Sequence, residues 1–348
     1  MNKFISFIIL FCFFIFQACS SSTTTTTEFS ESRMIALTTG VVSQSSNQNV
    51  IVAPNYRPDS GVVYKAVLDL KQTPTGFMPQ LRGGREAVSN DWPASLYATF
   101  KTPEGTAACT AALIGPMVIL TAAHCVPDDR TVSFTYQGTN YNTSCKQHHR
   151  YQDKSDVSAD FALCKIDKPF KEPVGFKYET IDTSEMSRFV NKTLILTGYG
   201  CVSDIVENKQ TDGKYRIGET IIDETSKSAT KLRLKYGKDY IKFYSDIENN
   251  NFFTIDDPDK ANLCPGDSGG PAFVRRASAS GFAQRMIVGV NSRVFYKNAS
   301  TKIYGSSLVS AIGGPDFLTW AEKWIEDQKV AACGINSRHF TRIQNCRF

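Results

Sequence analysis

The stretch NLCPGDSGGP at residues 262–271 holds a single serine, Ser268, among glycine, proline and aspartate neighbours. Proline and glycine at this density disfavour both a helix and a regular strand, because proline lacks a backbone donor and glycine leaves the backbone unrestricted. The stretch therefore predicts a constrained turn that presents one hydroxyl. A serine hydroxyl is a useful nucleophile only beside a base that a third group orients, so the rest of the chain decides what Ser268 can do.

Histidine is the natural base for a serine, and the candidates are His124, His148, His149 and His339. His124 follows the apolar run MVILTAA at residues 117–123, so a strand would deliver its ring to a rim beside small alanines. His148 and His149 lie in a polar run and are expected at the surface, and His339 lies in a basic tail. The base is therefore predicted to be His124.

The orienting carboxylate is predicted to be Asp160, which stands directly before the apolar residues 161–163 at the start of a buried strand. A buried carboxylate is costly unless it is paired, and a histidine N–H would pair it. An ordinary aspartate at a turn or strand start is the alternative interpretation of this residue alone. Asp153 and Asp156 lie in a polar loop, and Asp167 has lysine neighbours.

From Leu81 onward the chain alternates short apolar runs with clusters of glycine, proline, asparagine and aspartate, which indicates an all-β barrel or sandwich. A helix is predicted near the end, over residues 317–328, where apolar side chains repeat on one helical face after Gly-Pro-Asp. The apolar runs lie at residues 95–100, 111–123, 132–136, 161–166, 193–196 and 285–290.

Three motifs in the order His, Asp, Ser resemble the trypsin/chymotrypsin serine proteases: TAAHC at 121–125, DFAL at 160–163 and GDSGGP at 266–271. The resemblance covers about residues 81–328, and shorter matches at 83–84, 87, 92–93, 198–200 and 324–325 support it. It implies an all-β fold of two packed six-stranded antiparallel β-barrels with a C-terminal helix. It also implies a serine endopeptidase that acts on proteins or peptides.

The resemblance assigns a role to each motif residue. Ser268 would attack the peptide carbonyl, His124 would move the proton, and Asp160 would hold the imidazole in the required tautomer. The backbone N–H groups of Gly266 and Ser268 would form the oxyanion hole. The chemistry needs no cofactor, and no metal is expected, since the chain has no CxxC pair and only four histidines.

The substrate pocket departs from the family. The residue six before the nucleophile, at the base of the family's pocket, is Asn262, whereas cleavage after lysine or arginine uses an aspartate there. We therefore expect a protease that is not Lys/Arg-specific, with neutral and acidic side chains both left open. Ser292 is assigned to the substrate-binding wall and matches the family residue that supports the catalytic aspartate. Lys302 would fall near the pocket.

Ten cysteines are present, and eight of them follow the N-terminal segment, an even number that suggests disulfides in an exported chain. The family bridge that braces the histidine loop matches Cys109 with Cys125. The further pairings inferred from the resemblance are Cys145 with Cys164, Cys201 with Cys264, and Cys333 with Cys346.

The first residues predict export. A lysine at position 3 precedes an apolar run at 4–16 that is too short to span a bilayer comfortably, so residues 1–18 are interpreted as a signal peptide. Cys19 after Ala18 resembles the lipobox of bacterial lipoproteins, which would anchor the chain to a membrane by lipidation of Cys19; ordinary cleavage near Ala18 is the alternative. The expected location is the outer membrane, periplasm or cell surface, and otherwise the medium.

Composition changes along the chain suggest four parts. After the signal, residues 19–80 are interpreted as a Ser/Thr-rich tether followed by either a propeptide strand or a linker. Residues 81–330 form the predicted protease domain, and residues 331–348 form a tail that a disulfide is expected to close. In the family, cleavage frees an apolar N-terminus whose amine pairs with the aspartate before the nucleophile. The equivalents here are Gln80–Leu81 and Asp267.

Two other functions compete with the protease. A net charge of +5 is too small and dispersed to indicate nucleic-acid binding. A catalytically silent homologue acting as a binding module would explain the altered pocket, although all three motifs are present. An esterase would normally show Gly-x-Ser-x-Gly on an α/β pattern, with the aspartate after the serine, and this chain has neither feature.

Overall fold

The structure is a computed structural model, and it describes most of the chain from Leu81 to Arg347. The predicted signal, Cys19 and the tether lie outside the described residues. The described residues are 81, 83–88, 91–102, 105–126, 131–136, 139–200, 214–225, 250–264, 266–277, 283–298, 303–335, 343 and 345–347.

The first half of the described chain folds into a closed barrel of six antiparallel strands, with the order β2-β3-β4-β7-β6-β5. A short strand, β1, precedes it and pairs with the second half. The strands are β1 Arg85–Glu86, β2 Ser95–Thr102, β3 Gly105–Gly115, β4 Val118–Thr121, β5 Thr131–Tyr136, β6 Thr139–Gln147 and β7 Ala162–Ile166.

The side-chain patterns explain this barrel. β4 is buried along its whole length between β3 and β7, which is why the sequence VILT is continuously apolar up to Thr121. β6 alternates exposed and buried residues over most of its length, as expected for a strand with one face toward solvent. The apolar run at 111–123 thus divides into the end of β3, the strand β4 and the start of a 3₁₀ turn at Ala123–Cys125.

The second half forms another antiparallel barrel, since the sheet order β9-β10-β13-β12-β11-β8 is closed by the pairing of β8 with β9. β1 adds to the outside of β9. A 3₁₀ helix at Met186–Phe189 leads into this barrel. Its strands are β8 Thr193–Gly198, β9 Arg216–Thr225, β10 Asn251–Thr254, β11 Pro271–Ala277, β12 Ala283–Asn298 and β13 Ile303–Ala311.

Two α-helices are described, the one-turn α1 at His149–Gln152 and the longer α2 at Pro315–Gln328. α2 begins with proline in its first turn and ends at Lys329, which adopts a left-handed conformation with φ +54°. It buries Phe317, Ala321 and Ile325, spaced four residues apart along one face. The predicted helix at 317–328 is therefore confirmed, with its start two residues earlier.

The chain beyond α2 returns to the connection between the barrels. Cys333 and Cys346 form a disulfide, and Cys346 lies beside Tyr178 in a parallel bridge. Arg347 extends this pairing, because its N–H donates to the Tyr178 carbonyl over 2.9 Å. Its side chain also lies 3.5 Å from the buried carboxylate of Glu179, which pairs with Arg285 as well. The last residues therefore pack against the segment that joins the two barrels.

The fold predicted from the sequence, two packed six-stranded antiparallel barrels with a C-terminal helix, is confirmed. One expectation is wrong: His148 is fully buried, whereas its neighbour His149 is exposed. His148 lies between β6 and the short helix at 149–152 and packs its ring against Phe161 and Trp320, so a polar sequence context did not mean a surface position. In the described residues, no helix has the length and apolar character that crossing a membrane requires.

Candidate active site

Strand pairing in the first barrel brings His124 and Asp160 to one rim. β4 and β7 are antiparallel with Thr121 opposite Ala162, so the residues after β4 and those before β7 lie at the same end. His124 sits in the 3₁₀ turn after β4, which the Cys109–Cys125 disulfide ties to β3. The amide of Gln147 donates to the carbonyls of Ala123 and Val126 and so fixes both sides of this turn.

Three hydrogen bonds hold the Asp160 carboxylate. His124 Nδ1 lies 2.7 Å from Oδ2, and the His124 backbone N–H donates to Oδ1 over 3.0 Å. Ser292, from β12 of the second barrel, donates its hydroxyl to Oδ2 over 2.6 Å. Asp160 is fully buried while 32% of the His124 side chain is exposed. The ring is thus oriented from inside and open on its other side.

His124 and Asp160 shift each other's pKa values: that of Asp160 is lowered and that of His124 is raised. Burial raises the pKa of Asp160, but the charge of His124 and the hydrogen bonds from His124 and Ser292 outweigh it and hold the pKa below its usual range. Burial disfavours the charged form of His124, yet the charge and hydrogen bond of Asp160 leave its pKa raised. Arg293 lowers that pKa in part. Asp160 is ionised at neutral pH and stabilises a proton on the ring.

The turn around Ser268 is built from backbone hydrogen bonds that require glycine at two positions. Asp267 N–H donates to the Cys264 carbonyl and Gly270 N–H to the Asp267 carbonyl, over 3.0 and 2.9 Å. Gly266 has φ +102° and Gly269 φ +81°. A Cβ at Gly269 would also lie 2.2 Å from the Thr121 hydroxyl, so a side chain is excluded there on two grounds.

Thr110 of β3 connects this turn to the first barrel. Its N–H donates to the Ser268 carbonyl over 2.8 Å, and its hydroxyl donates to the Gly266 carbonyl over 3.0 Å. The Thr110 carbonyl in turn accepts from the hydroxyl of Thr121, three residues before His124. The turn that carries Ser268 is therefore bonded to the element that leads to His124.

Ser268 itself keeps its reactive groups unengaged. Within the described residues, its hydroxyl forms no hydrogen bond, including none to His124, and its side of the turn is partly exposed. The backbone N–H groups of Gly266 and Ser268 likewise find no acceptor in the described chain. Two neighbouring N–H groups without acceptors beside a partly exposed hydroxyl are suited to binding a negatively charged oxygen.

Asn262 begins the same stretch and is buried against the middle of β13. Its Oδ1 accepts from the Ser307 hydroxyl over 3.3 Å, while that hydroxyl accepts from the Leu263 N–H over 2.8 Å. This arrangement assigns the oxygen of the amide to Ser307 and leaves its NH₂ group without an acceptor among the described residues. Lys302, expected nearby, lies outside the described residues.

Asp267 is buried beside Ser268 and faces two backbone donors. Gly200 N–H donates to Oδ1 over 2.8 Å and Cys264 N–H to Oδ2 over 2.9 Å. Burial raises the pKa of this carboxyl to about 7, although both hydrogen bonds and the more distant charge of Arg216 lower it. The Asp267 carboxyl therefore holds a proton at higher pH than an ordinary aspartate does.

The cysteines are joined as disulfides in the described chain. Cys109 is bonded to Cys125, Cys145 to Cys164 across paired strands β6 and β7, and Cys333 to Cys346. Cys264 is also in a disulfide. Its expected partner, Cys201, lies outside the described residues.

Comparison with known proteins gives this geometry a family. The sequence model of the family described as Trypsin matches residues 81–310, about two thirds of the chain. The chain belongs to the trypsin family. Membership makes it a trypsin-like serine protease by family, a class of hydrolase whose substrates are proteins or peptides.

Two individual relatives agree with this membership of the trypsin family. Kallikrein-1E2 of Equus caballus is 23% identical over 228 residues, which are 58% of this chain and 80% of the kallikrein. The solved structure of neuropsin, a serine protease expressed in the limbic system of mouse brain, is similar with a TM-score of 0.50. It is 19% identical and covers 71% of this chain and 98% of its own, a likeness that shows the fold.

Two residues of the site were not found from the sequence. Thr110 lies in a run of alanines and threonines on β3, and only the folded structure brings it to Ser268. Arg293 follows Ser292 on β12 and lies near the His124–Asp160 pair. The sequence did contain a signal for Arg293, since this charged residue directly follows Ser292, an assigned site residue.

Proposed function

We propose that the chain is a serine endopeptidase that cleaves peptide bonds through Ser268, His124 and Asp160, with an acyl-enzyme intermediate. The observation that carries the proposal is the hydrogen-bonded pair of His124 and Asp160 at the rim that also receives the Ser268 turn through Thr110. The partly exposed hydroxyl and the exposed side of the imidazole support access by a substrate.

The chemistry follows from the position of the protons. Asp160 accepts the Nδ1–H of His124 and thereby leaves Nε2 as the basic nitrogen. His124 takes the hydroxyl proton as Ser268 Oγ bonds to the carbonyl carbon, and then gives that proton to the leaving amine. A water molecule repeats the sequence on the acyl-enzyme and releases the acid. Ionised Asp160 stabilises the imidazolium in both halves.

The developing oxyanion is assigned to the backbone N–H groups of Gly266 and Ser268. Both lack acceptors in the described chain and belong to a turn whose geometry is fixed by Thr110 and by Asn291, whose carbonyl accepts from Gly269 N–H. A donor of this kind is typically worth about 10²–10³ in rate.

An extended peptide can bind along the edge of β12. The pairing of β11 with β12 ends at Pro271 opposite Val290, and Gly269 and Gly270 exchange hydrogen bonds with Asn291. Beyond Asn291, the edge of Ser292–Val294 on the side of Ser268 has no described strand beside it. A substrate added here as a strand would pass the nucleophile, which is a common mode of peptide recognition.

Asn262 supports a preference other than lysine or arginine. A free amide NH₂ donates hydrogen bonds, and it offers no negative charge to a cationic side chain. Together with Ser292, Asn262 is assigned to substrate binding. The side chain before the cleaved bond would then be neutral or acidic.

Activation by cleavage between Gln80 and Leu81 is part of this proposal. It would separate the tether and possible propeptide at 19–80 from a protease domain at 81–330 with its disulfide-closed tail at 331–348. Leu81 is buried in the core of the second barrel, as an apolar N-terminal side chain would need to be. The new amine would bring a positive charge to Asp267, whose carboxylate has, among the described residues, only backbone donors at hydrogen-bonding distance.

Export is supported by the disulfides, because such bonds persist in oxidising compartments. A signal at 1–18 would lead the chain out of the cytoplasm. Lipidation at Cys19 would anchor the protein to a membrane, and its location would then be the outer membrane, the periplasm or the cell surface. Ordinary cleavage near Ala18 would instead release the protein into the medium.

The test is active-site labelling. Purified protein, before and after cleavage at residue 80, is treated with a fluorophosphonate probe beside the variant Ser268→Ala, with Ser184→Ala as a control outside the site. We expect labelling of the processed wild type and of Ser184→Ala, and none of Ser268→Ala. A processed wild type that binds no probe and cleaves no peptide would instead support a catalytically silent homologue acting as a binding module.

A further inference from the structure

Arg293 is a half-buried cation beside the proposed catalytic pair that has no carboxylate partner in the described residues. One of its nitrogens, Nη2, donates to the Val157 carbonyl over 3.3 Å. Its Nε is buried and has no acceptor among the described residues. A buried donor left unpaired costs free energy, so an acceptor that arrived there would bind favourably.

Other arginines of the second barrel behave differently. Arg275 pairs with Glu219, Arg276 with Asp182, and Arg285 with Glu179, the last in a fully buried pair. The fold thus supplies carboxylates to arginines on β11 and β12 where their role is structural. Arg293, on the same strand as Arg285, has only a carbonyl as its partner in the part of the chain that the structure describes.

The position of Arg293 places this charge at the reaction centre. It directly follows Ser292, whose hydroxyl donates to Asp160, and its positive charge acts on the pKa of His124. It also lies in the stretch Ser292–Val294, whose free edge runs on the side of Ser268. A peptide bound along that edge would therefore carry its side chains past the guanidinium.

We propose that Arg293 is a specificity-determining residue that binds the carboxylate of an aspartate or glutamate side chain in the substrate, close to the cleaved bond. This inference rests on the proposed protease function and names the substrate class: peptides with an acidic residue near the site of cleavage. A guanidinium suits this task because its planar set of donors matches a carboxylate. The free NH₂ group of Asn262 adds a second donor, without a negative charge that would repel such a substrate.

The test compares peptides that differ by one charge at a single position. Fluorogenic peptides carry glutamate or glutamine at each of the three positions on either side of the cleaved bond, and kcat/KM is measured for the processed wild type and for Arg293→Gln. The glutamine side chain keeps a hydrogen-bond donor but carries no charge. Arg276→Gln, which also removes one charge from the second barrel, is the matched control.

At one position we expect the wild type and Arg276→Gln to cleave the glutamate peptide about tenfold faster than its glutamine partner, as for a hydrogen bond to a charged group. In Arg293→Gln this preference should disappear through loss of rate on the glutamate peptide alone. Raising the salt concentration should weaken the preference in the wild type.

Three results would overturn the inference: no position at which glutamate is preferred, an unchanged preference in Arg293→Gln, or an equal loss on both peptides, which would mean a structural role. Fluorophosphonate labelling of each variant separates these results from failure of the proposed function. If the variants label at Ser268 and show no acidic preference, the protease proposal stands and the inference about Arg293 is wrong. If the wild type neither labels nor cleaves, both are wrong.

Discussion

Two buried aspartates flank the proposed nucleophile, and they differ in what surrounds them. Asp160 accepts hydrogen bonds from an imidazole that can carry a positive charge, from a backbone N–H and from the Ser292 hydroxyl, and its pKa is held low. Asp267 accepts from two backbone N–H groups, and burial raises its pKa to about 7. The hydrogen-bonded partners of His124 are thus in place in the uncleaved chain, whereas none of the described residues brings a cation to hydrogen-bonding distance of Asp267 in the turn that positions Ser268.

The largest effect is expected from a substitution of Asp160, the aspartate whose partners include a group that can carry a positive charge. Asp160→Asn should reduce kcat by about 10⁴, because an amide in that position favours the wrong tautomer of His124, as in well-studied enzymes with this arrangement. The measurement is the steady-state rate of peptide cleavage by the processed protein at neutral pH. Asp153→Asn, which changes an exposed aspartate, should leave the rate unaffected, and a loss below tenfold in Asp160→Asn would remove Asp160 from the proposed mechanism.

The raised pKa of Asp267 should make the stability of the uncleaved chain depend on pH. Asp267 has a pKa of about 7 in the folded state against an ordinary 3.8, so between these values the folded chain binds a proton that the unfolded chain has released. The free energy of unfolding should therefore fall as pH rises from about 4 to 7, by a few kcal/mol, and level off above.

Urea denaturation of the uncleaved protein at pH 5 and pH 8 measures this dependence. In Asp267→Asn, the part of the change that belongs to this group should vanish, so that the variant gains stability relative to wild type as pH rises. Asp259→Asn, also in the second barrel but outside its core, serves as the control. A difference between wild type and Asp267→Asn that does not vary with pH would show that the carboxyl is already ionised or already paired.

A smaller effect on catalysis is expected when only one of the partners of Asp160 is removed. Ser292→Ala removes one of the three hydrogen bonds to Asp160 and leaves the two from His124. A single neutral donor to a charged acceptor should cost between about threefold and a hundredfold in kcat/KM, well short of the loss in Asp160→Asn. No change in kcat/KM would mean that the His124 bonds alone hold the carboxylate.

The sequence was sufficient for the parts of the molecule that a local pattern determines. The unbroken apolar strand ending at Thr121, the helix after Gly314 and the glycine-rich turn around Ser268 are each set by neighbours within a few residues. The resemblance of the motifs then supplied the fold. These are the features for which backbone restriction and burial act through adjacent residues.

Features that depend on distant contacts were not predictable in the same way. His148 has polar neighbours in sequence and yet is buried, because α2 brings Trp320 against its ring. Thr110 gains its contacts to Gly266 and Ser268 from a chain separation of more than 150 residues. That no described carboxylate pairs with Arg293 likewise depends on contacts between distant parts of the chain. Only the assembled barrels determine these neighbours.

The pairing of Arg347 with Glu179 has a consequence for the order in which the contacts of the fold can form during synthesis. Glu179 is fully buried with Arg285, and the last turn of chain, tied down by Cys333–Cys346, adds a second positive group to it. A ribosome delivers that group only after both barrels have been synthesised. The connection between the barrels therefore reaches its final electrostatic balance last, and a chain that stopped a few residues early would leave the Glu179 site with one arginine instead of two.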